Sequence, residues 1–112
     1  MKLNSNNRSI AYKGEDIVSV LNEISFILCS LHNIGSCYAD CIDEKRHEYE
    51  KETTDFIDNS HICDRLANIR SKLTEGFDLT LGDDDMDDLE RACQRINYWS
   101  KPGDSSNEFW VS

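Results

Sequence analysis

The sequence predicts an all-α protein, a small antiparallel bundle of about four helices. Apolar residues recur at three- and four-residue steps along several segments, which is the helical period. One proline and five glycines leave few turn residues for a many-stranded sandwich. Short connections favour antiparallel neighbours. The alternative is an α+β fold in which FDLTL and EFWV form strands.

A chain of 112 residues is expected to form a single domain, spanning 1–112. Residues 1–14 are a polar N-terminal arm, residues 15–100 the helical body, and residues 101–112 an aromatic tail. The first helix is predicted to begin at Glu15 and to end at Gly35. Because apolar side chains occupy more than one of its faces, we expect it to be the most buried element. These side chains are Ile17, Val18, Val20, Leu21, Ile24, Phe26, Ile27, Leu28 and Leu31.

Three further helices follow the same period. The second, from about 37 to 57, has a narrow apolar seam between charged residues. The third begins near Asn59 or Ser60 and ends at Gly76, and the fourth runs from about Asp84 to Tyr98. The seam consists of Tyr38, Ile42, Tyr49 and Phe56. The core is predicted to depend on Leu28, Leu66, Ile69 and Leu89.

Composition limits the possible partners and compartments. Twenty-two acidic against twelve basic residues give a formal charge of −10, which repels nucleic acid and anionic membranes and attracts basic surfaces. The N-terminus has no apolar core of a secretory signal, and no apolar run approaches the roughly 20 residues that span a bilayer. We therefore predict a cytoplasmic protein, with no direct nucleic-acid or membrane binding and with reduced, mostly buried cysteines.

The negative charge is concentrated in two stretches. Residues 75–90 hold eight acidic residues and no base, and residues 36–60 hold eight acidic residues with Lys45, Arg46 and Lys51. One interpretation is a solvated acidic face with a helix-dipole role. The other is a binding surface for a cationic partner, in which Asp83 and Asp84 stabilise a helix while Asp85, Asp87 and Asp88 contact that partner.

The sequence contains no recognisable catalytic motif. The acidic run DDDMDD lacks the alternating spacing and glycine of an EF-hand loop. Cys37 and Cys41 stand one helical turn apart, but the paired C-x2-C motifs of a zinc ribbon are absent. HEYEKE carries Lys51 where a helical zinc motif needs its second histidine. We predict no enzyme, no bound metal and no cofactor.

The stretches CIDEKRHEYEKETTDFID and EGFDLTLGDDDMDDLE give the chain the character of a known class of proteins. It resembles the small acidic immunity proteins of bacterial toxin–immunity pairs, such as those of contact-dependent growth inhibition. The resemblance implies a cytoplasmic inhibitor that binds a cognate basic toxin, often a DNase or tRNase, in a 1:1 complex. Alternatives are a helical scaffold subunit that binds through the seam of the second helix, and a phage-type inhibitor that mimics DNA.

Partner contacts are predicted at acidic residues of both stretches and at aromatic residues near the C-terminus. These residues are Asp78, Asp83, Asp84, Asp85, Asp87, Asp88, Glu90, Glu48, Glu52, Asp55, Tyr98, Trp99 and Trp110.

Overall fold

The computed structural model describes residues 3–103, and the described part of the chain is helical and contains no strand. The all-α prediction is confirmed, and FDLTL does not form a strand; EFWV lies outside the described residues. A short 3-10 helix at Ser5–Asn7 precedes four α-helices. These are α1 (Gly14–Tyr38), α2 (Arg46–Asn59), α3 (Ile62–Thr74) and α4 (Asp88–Cys93).

The chain divides into two compact units. One comprises residues 11–76 and contains α1, α2 and α3, which all pack against one another. Among the described residues, the other combines residues 3–10 with residues 77–103, and it contains α4. The single-domain interpretation and the antiparallel order of the helices stay predictions.

A small set of contacts holds the three-helix unit together. Glu23 on α1 pairs with Arg65 on α3 at 2.8 Å. The Arg65 guanidinium lies 4.3 Å from the centre of the Phe26 ring, which in turn contacts Phe56 of α2 at 5.7 Å between ring centres. Because Phe26 touches groups from both other helices, it lies at the point where α1, α2 and α3 meet.

Two helix boundaries differ from the predictions. Gly35 does not end α1, which continues to Tyr38, because an interior glycine costs only about 1 kcal/mol relative to alanine and no proline follows. Residues 37 and 38 therefore belong to α1, and α2 begins only at Arg46 after a turn. The fourth helix is much shorter than predicted: it starts after its N-cap Asp87 and already ends at Cys93, five residues before Tyr98.

The predicted core is wrong at two of its four positions. Leu28 is 64% exposed and Leu66 48% exposed, whereas Ile69 is buried and Leu89 half-buried. Helix α1 is not the most buried element, since Val20 is its one buried residue in the described structure. The reason is that α1 is apolar on more than one face while α2 and α3 cover only one.

Two expectations that depended on burial and on apolar length also fail. Cys29, Cys37 and Cys63 are exposed rather than buried. Helix α1 is long and apolar enough to cross a bilayer, contrary to the expectation that no segment approaches this length. That criterion uses length and composition alone, and core helices of soluble proteins and signal sequences meet it as well.

Candidate functional site

The acidic run from Asp83 to Asp88 folds around a single arginine. Arg91 donates to both carboxylate oxygens of Asp84, from Nε at 2.7 Å and from Nη2 at 2.8 Å. It also donates to Asp88 at 2.9 Å and to the carbonyl of Met86 at 3.0 Å. A two-pronged contact of this kind matches the planar guanidinium to the carboxylate. The arginine therefore fixes the turn that precedes α4.

Asp88 lies inside its unit, and residues from the N-terminal segment surround it. The residue is 6% exposed, and its second oxygen accepts from the backbone of Asn4 at 2.7 Å and from the Asn7 amide at 2.8 Å. Asn7 is 3% exposed and also exchanges two hydrogen bonds with the backbone of Asp78, at 2.7 and 2.9 Å. Part of the predicted polar arm is thus an ordered component of the acidic unit.

Further acidic residues of this stretch have internal roles. Asp87 caps α4: it accepts from the backbone of Glu90 at 2.8 Å, and the Glu90 side chain accepts from the backbone of Asp87 at 3.4 Å. This reciprocal pair is a capping box. Asp78 accepts from the Asn6 amide at 2.8 Å and from the Thr80 hydroxyl at 2.6 Å. These carboxylates are used to close turns and to start a helix.

The hydrogen bonds stabilise the charged forms of these carboxylates. The Arg91 guanidinium lowers the pKa of Asp84 far below its usual range. Hydrogen bonds from the Asn7 side chain and then from the Asn4 backbone lower the pKa of Asp88, and the Asn6 side chain does the same for the pKa of Asp78. All three carboxylates are ionised at neutral pH.

This geometry corrects the predicted division of labour within the run. Asp88 is buried and Asp87 is engaged in the cap, so neither presents a free carboxylate to a partner. Asp84 has a structural role, as predicted, but through Arg91 rather than through a helix dipole. Asp83 and Asp85 are exposed, and neither side chain has an ion pair or hydrogen bond among residues 3–103. They remain candidates for contact.

The second acidic stretch is organised differently. On α2, Arg46 pairs with Glu50 at 2.8 Å and Lys51 pairs with Asp55 at 2.7 Å. Glu48 and Glu52 are exposed and have no ion pair with any described residue. Because they are four residues apart on one helix, their carboxylates lie on the same side of it. This helix therefore presents two uncompensated negative charges side by side, whereas Asp55 is already paired.

Two tyrosines accompany these glutamates. Tyr38, the last residue of α1, meets Tyr49 of α2 edge-on, with 5.9 Å between ring centres. Partial burial raises the pKa of Tyr38, and the negative charges of Glu52 and Glu48 raise it further. The rings and the two carboxylates therefore form one patch, which we call the acidic face: Tyr38, Tyr49, Glu48 and Glu52. Sequence reasoning placed both tyrosines in a seam of one helix and missed their position beside the glutamates.

The remaining predicted site residues are aromatic or lie away from this patch. Trp99 is 81% exposed and Tyr98 is also exposed, while Trp110 lies outside the described residues.

An open groove of about 700 Å³ lies between α1 and α3. Two charged groups along it, Arg65 and Lys72, are engaged by Glu23 and Ser19 at 2.8 and 2.7 Å. Within residues 3–103, no group of three or more His, Cys, Asp or Glu residues could hold a metal ion.

The geometry describes a small, acidic, helical chain that presents an acidic and aromatic surface. No protein-family model, no curated protein and no solved structure matches it.

Proposed function

We propose that the protein is a non-catalytic binding protein that captures a cationic protein partner on the acidic face. The observation that carries the proposal is the pair Glu48 and Glu52, exposed and without a compensating base among the described residues. Like charges one helical turn apart destabilise a helix by about 0.2–0.5 kcal/mol. Beside them lie the half-buried rings of Tyr38 and Tyr49, with the Arg46 guanidinium 5.5 Å from the centre of the Tyr49 ring. Aromatic side chains supply much of the energy of protein interfaces.

The partner class that fits this chemistry is a nuclease domain, bound in the manner of an immunity protein that blocks a toxin. A nuclease needs a basic active site to hold phosphates, so an acidic face and a formal charge of −10 complement it. Complementary charge accelerates association and disfavours wrong partners, while buried aromatic anchors slow release. In this proposal the protein is cytoplasmic, binds one toxin domain per chain, and needs neither cofactor nor metal.

The scaffold alternative is less favoured at one position of the seam. It requires the seam of the second helix to bind another chain, but Phe56 contacts Phe26 within this chain. A DNA-mimic inhibitor shares the acidic character, and its target would be a DNA-binding protein. Competition separates the two: a DNA mimic displaces DNA from such a target, whereas an immunity protein abolishes cleavage by its own toxin.

The test compares two double variants that remove the same charge. Glu48→Gln with Glu52→Gln alters the acidic face, and Glu15→Gln with Glu75→Gln removes two exposed charges elsewhere. The probe is the basic nuclease toxin domain that this proposal expects in the reading frame directly upstream of this gene, and the readouts are its association rate at low and high salt and its residual cleavage. We expect the glutamate variant to associate at least about tenfold more slowly at low salt, with a smaller loss at high salt.

The control variant should change the association rate by no more than about threefold, because it removes the same amount of negative charge without touching the acidic face. Equal slowing in both variants would show that overall charge acts and that Glu48 and Glu52 are not the contact. Unchanged binding in the glutamate variant would refute the site, and failure of the protein to inhibit the nuclease would refute the function.

A further inference from the structure

Arg46 lies on the acidic face and covers part of it. It is the first residue of α2, and its guanidinium is 5.5 Å from the centre of the Tyr49 ring. Its Nε also donates to Glu50 at 2.8 Å, in an ion pair whose side chains are 61% and 57% exposed. In the described part of the chain, no other base lies over the ring of Tyr38 or Tyr49. The Tyr49 ring therefore already carries a guanidinium in the free protein.

The stability of α2 does not account for Arg46. A base in the first turn of a helix opposes the helix dipole. Its ion pair also has the less favourable order, because an acid stabilises a helix more when it precedes its base by four residues. Exposed pairs of this kind contribute little to stability. What Arg46 does change is the surface of the acidic face, since it neutralises Glu50 and occupies the ring of Tyr49.

The charge around this contact is negative on balance. Residues 43–52 hold five acidic residues against three basic ones and His47. Lys45 is exposed and has no ion pair with a described residue, as is also true of Glu48 and Glu52. Partial burial and then the charges of Glu52 and Glu48 raise the pKa of the Tyr38 hydroxyl, so both carboxylates act on the tyrosine pair. A cation brought to these rings would meet two carboxylates that are not already paired.

We propose that Arg46 occupies, in the free protein, the place that an arginine of the partner takes on the Tyr49 ring. This inference rests on the proposed function, because it concerns the same face. A guanidinium suits both parts of the face: it stacks on an aromatic ring, and it donates two parallel hydrogen bonds to a carboxylate such as Glu48 or Glu52. A lysine ammonium is a compact, strongly hydrated point charge and does neither as well. The partner is thereby narrowed from a basic surface to one that projects an arginine.

Arg46 is a weak competitor in this exchange. A cation–π contact at an exposed site favours the stacked state by a factor of roughly two to five. The ring is then free in about one third to one sixth of the molecules, and the affinity for an incoming guanidinium is lowered by that fraction. A partner that offered only the same ring contact would gain nothing from the exchange. A partner arginine that also pairs with Glu48 or Glu52 would gain, so the exchange adds to specificity.

Peptide titration of the full chain tests the exchange without the partner itself. The probe is acetylated tetra-arginine amide, compared with tetra-lysine amide at about 0.15 M salt, and NMR signals of the Tyr49 ring locate the contact. Arg46→Gln should lower the Kd of the arginine peptide about three- to sixfold and that of the lysine peptide less than about twofold. The matched control is Lys51→Gln, which removes the same charge from a pair of the same order on α2, with Asp55 at 2.7 Å, and has no ring contact. The control should change either Kd by less than about twofold.

The dependence on Tyr49 has its own test. In a Tyr49→Leu background, Arg46→Gln should gain no more than Lys51→Gln does, because the ring that Arg46 covers is gone. Circular dichroism checks that each variant keeps its helices. Equal gains from Arg46→Gln and Lys51→Gln would overturn the proposal, as would weaker binding in Arg46→Gln, equal gains for both peptides, or unmoved Tyr49 signals at millimolar peptide. None of these measurements uses the nuclease, so their failure is distinct from a failure of the protein to inhibit it.

Discussion

Asn7 is the residue whose replacement tests the acidic unit most directly. It is almost fully buried, and its amide makes three hydrogen bonds to two aspartates: it donates to the Asp78 carbonyl and the Asp88 carboxylate, and it accepts from the Asp78 backbone. In Asn7→Ala, a buried N–H loses its acceptor and a buried carboxylate loses a donor. Each unsatisfied buried group costs about 1–3 kcal/mol. We therefore expect the free energy of unfolding of this unit to fall by about 2–4 kcal/mol.

Amide hydrogen exchange of peptides from residues 77–93 is the appropriate assay, since it reports the opening of this unit separately from α1, α2 and α3. A loss of 2 kcal/mol corresponds to about 30-fold faster exchange. The matched control is Asn6→Ala, which removes one exposed hydrogen bond to the Asp78 side chain and should change exchange by less than about fivefold. Exchange in Asn7→Ala within about threefold of the unaltered protein would refute this reasoning.

A second substitution at the same position separates charge from packing. Asn7→Asp keeps the size of the side chain but places a carboxylate against Asp88, where the amide nitrogen now donates at 2.8 Å. Two carboxylates at that distance do not both ionise without a large cost, so one of them takes up a proton. The variant should be at least as destabilised as Asn7→Ala at neutral pH and should recover relative to Asn7→Ala as the pH falls toward 5. Equal pH dependence in the two variants would contradict the proposed contact.

Two further predictions concern the same unit. Asp87→Ala removes the capping box with Glu90 and should destabilise α4 by about 1 kcal/mol, measured by the same exchange assay, whereas the control Asp83→Ala should have almost no effect. Because folding lowers the pKa values of Asp84 and Asp88, their stabilisation is complete above about pH 4, the ordinary range of aspartate, and is lost as the pH falls through the folded-state values. The free energy of unfolding of this unit should therefore be lower at pH 3 than at pH 6, measured by denaturant titration followed through the amide NMR signals of residues 77–93, and equal stability at the two pH values would contradict the assignment.

The helical period of the apolar residues predicted where the helices of the three-helix unit lie better than it predicted which of their residues are buried. The prediction for α3, from Asn59 or Ser60 to Gly76, is close to the observed Ile62–Thr74, because an apolar repeat and a terminal glycine agree. Burial depends on which other elements pack on a helix, and Leu28 shows the consequence. It fits the helical repeat of apolar residues, but α2 is too polar to cover a second face of α1.

The acidic run contains signals that sequence reasoning could have used. Asp87 and Glu90 have the spacing of a capping box, and Arg91 follows Asp88 by three residues, so the sequence alone could have predicted both local contacts. The contribution of the N-terminal segment was not. Asn7 is 81 positions from Asp88 along the chain, and no local pattern links two residues so far apart.

The distinction between charge used inside the protein and charge offered to a partner decides how binding data should be interpreted. A substitution at Asp88 would weaken binding to any partner if it unfolded the unit that contains it, because the carboxylate is buried and bound to Asn7. Such a loss would not identify a contact. The side chains of Glu48 and Glu52 have no hydrogen bond or ion pair with residues 3–103, so removing their charge should leave folding intact or relieve repulsion. Loss of binding together with unchanged or increased stability is therefore the signature of the acidic face, and loss of both is the signature of the Asp88 network.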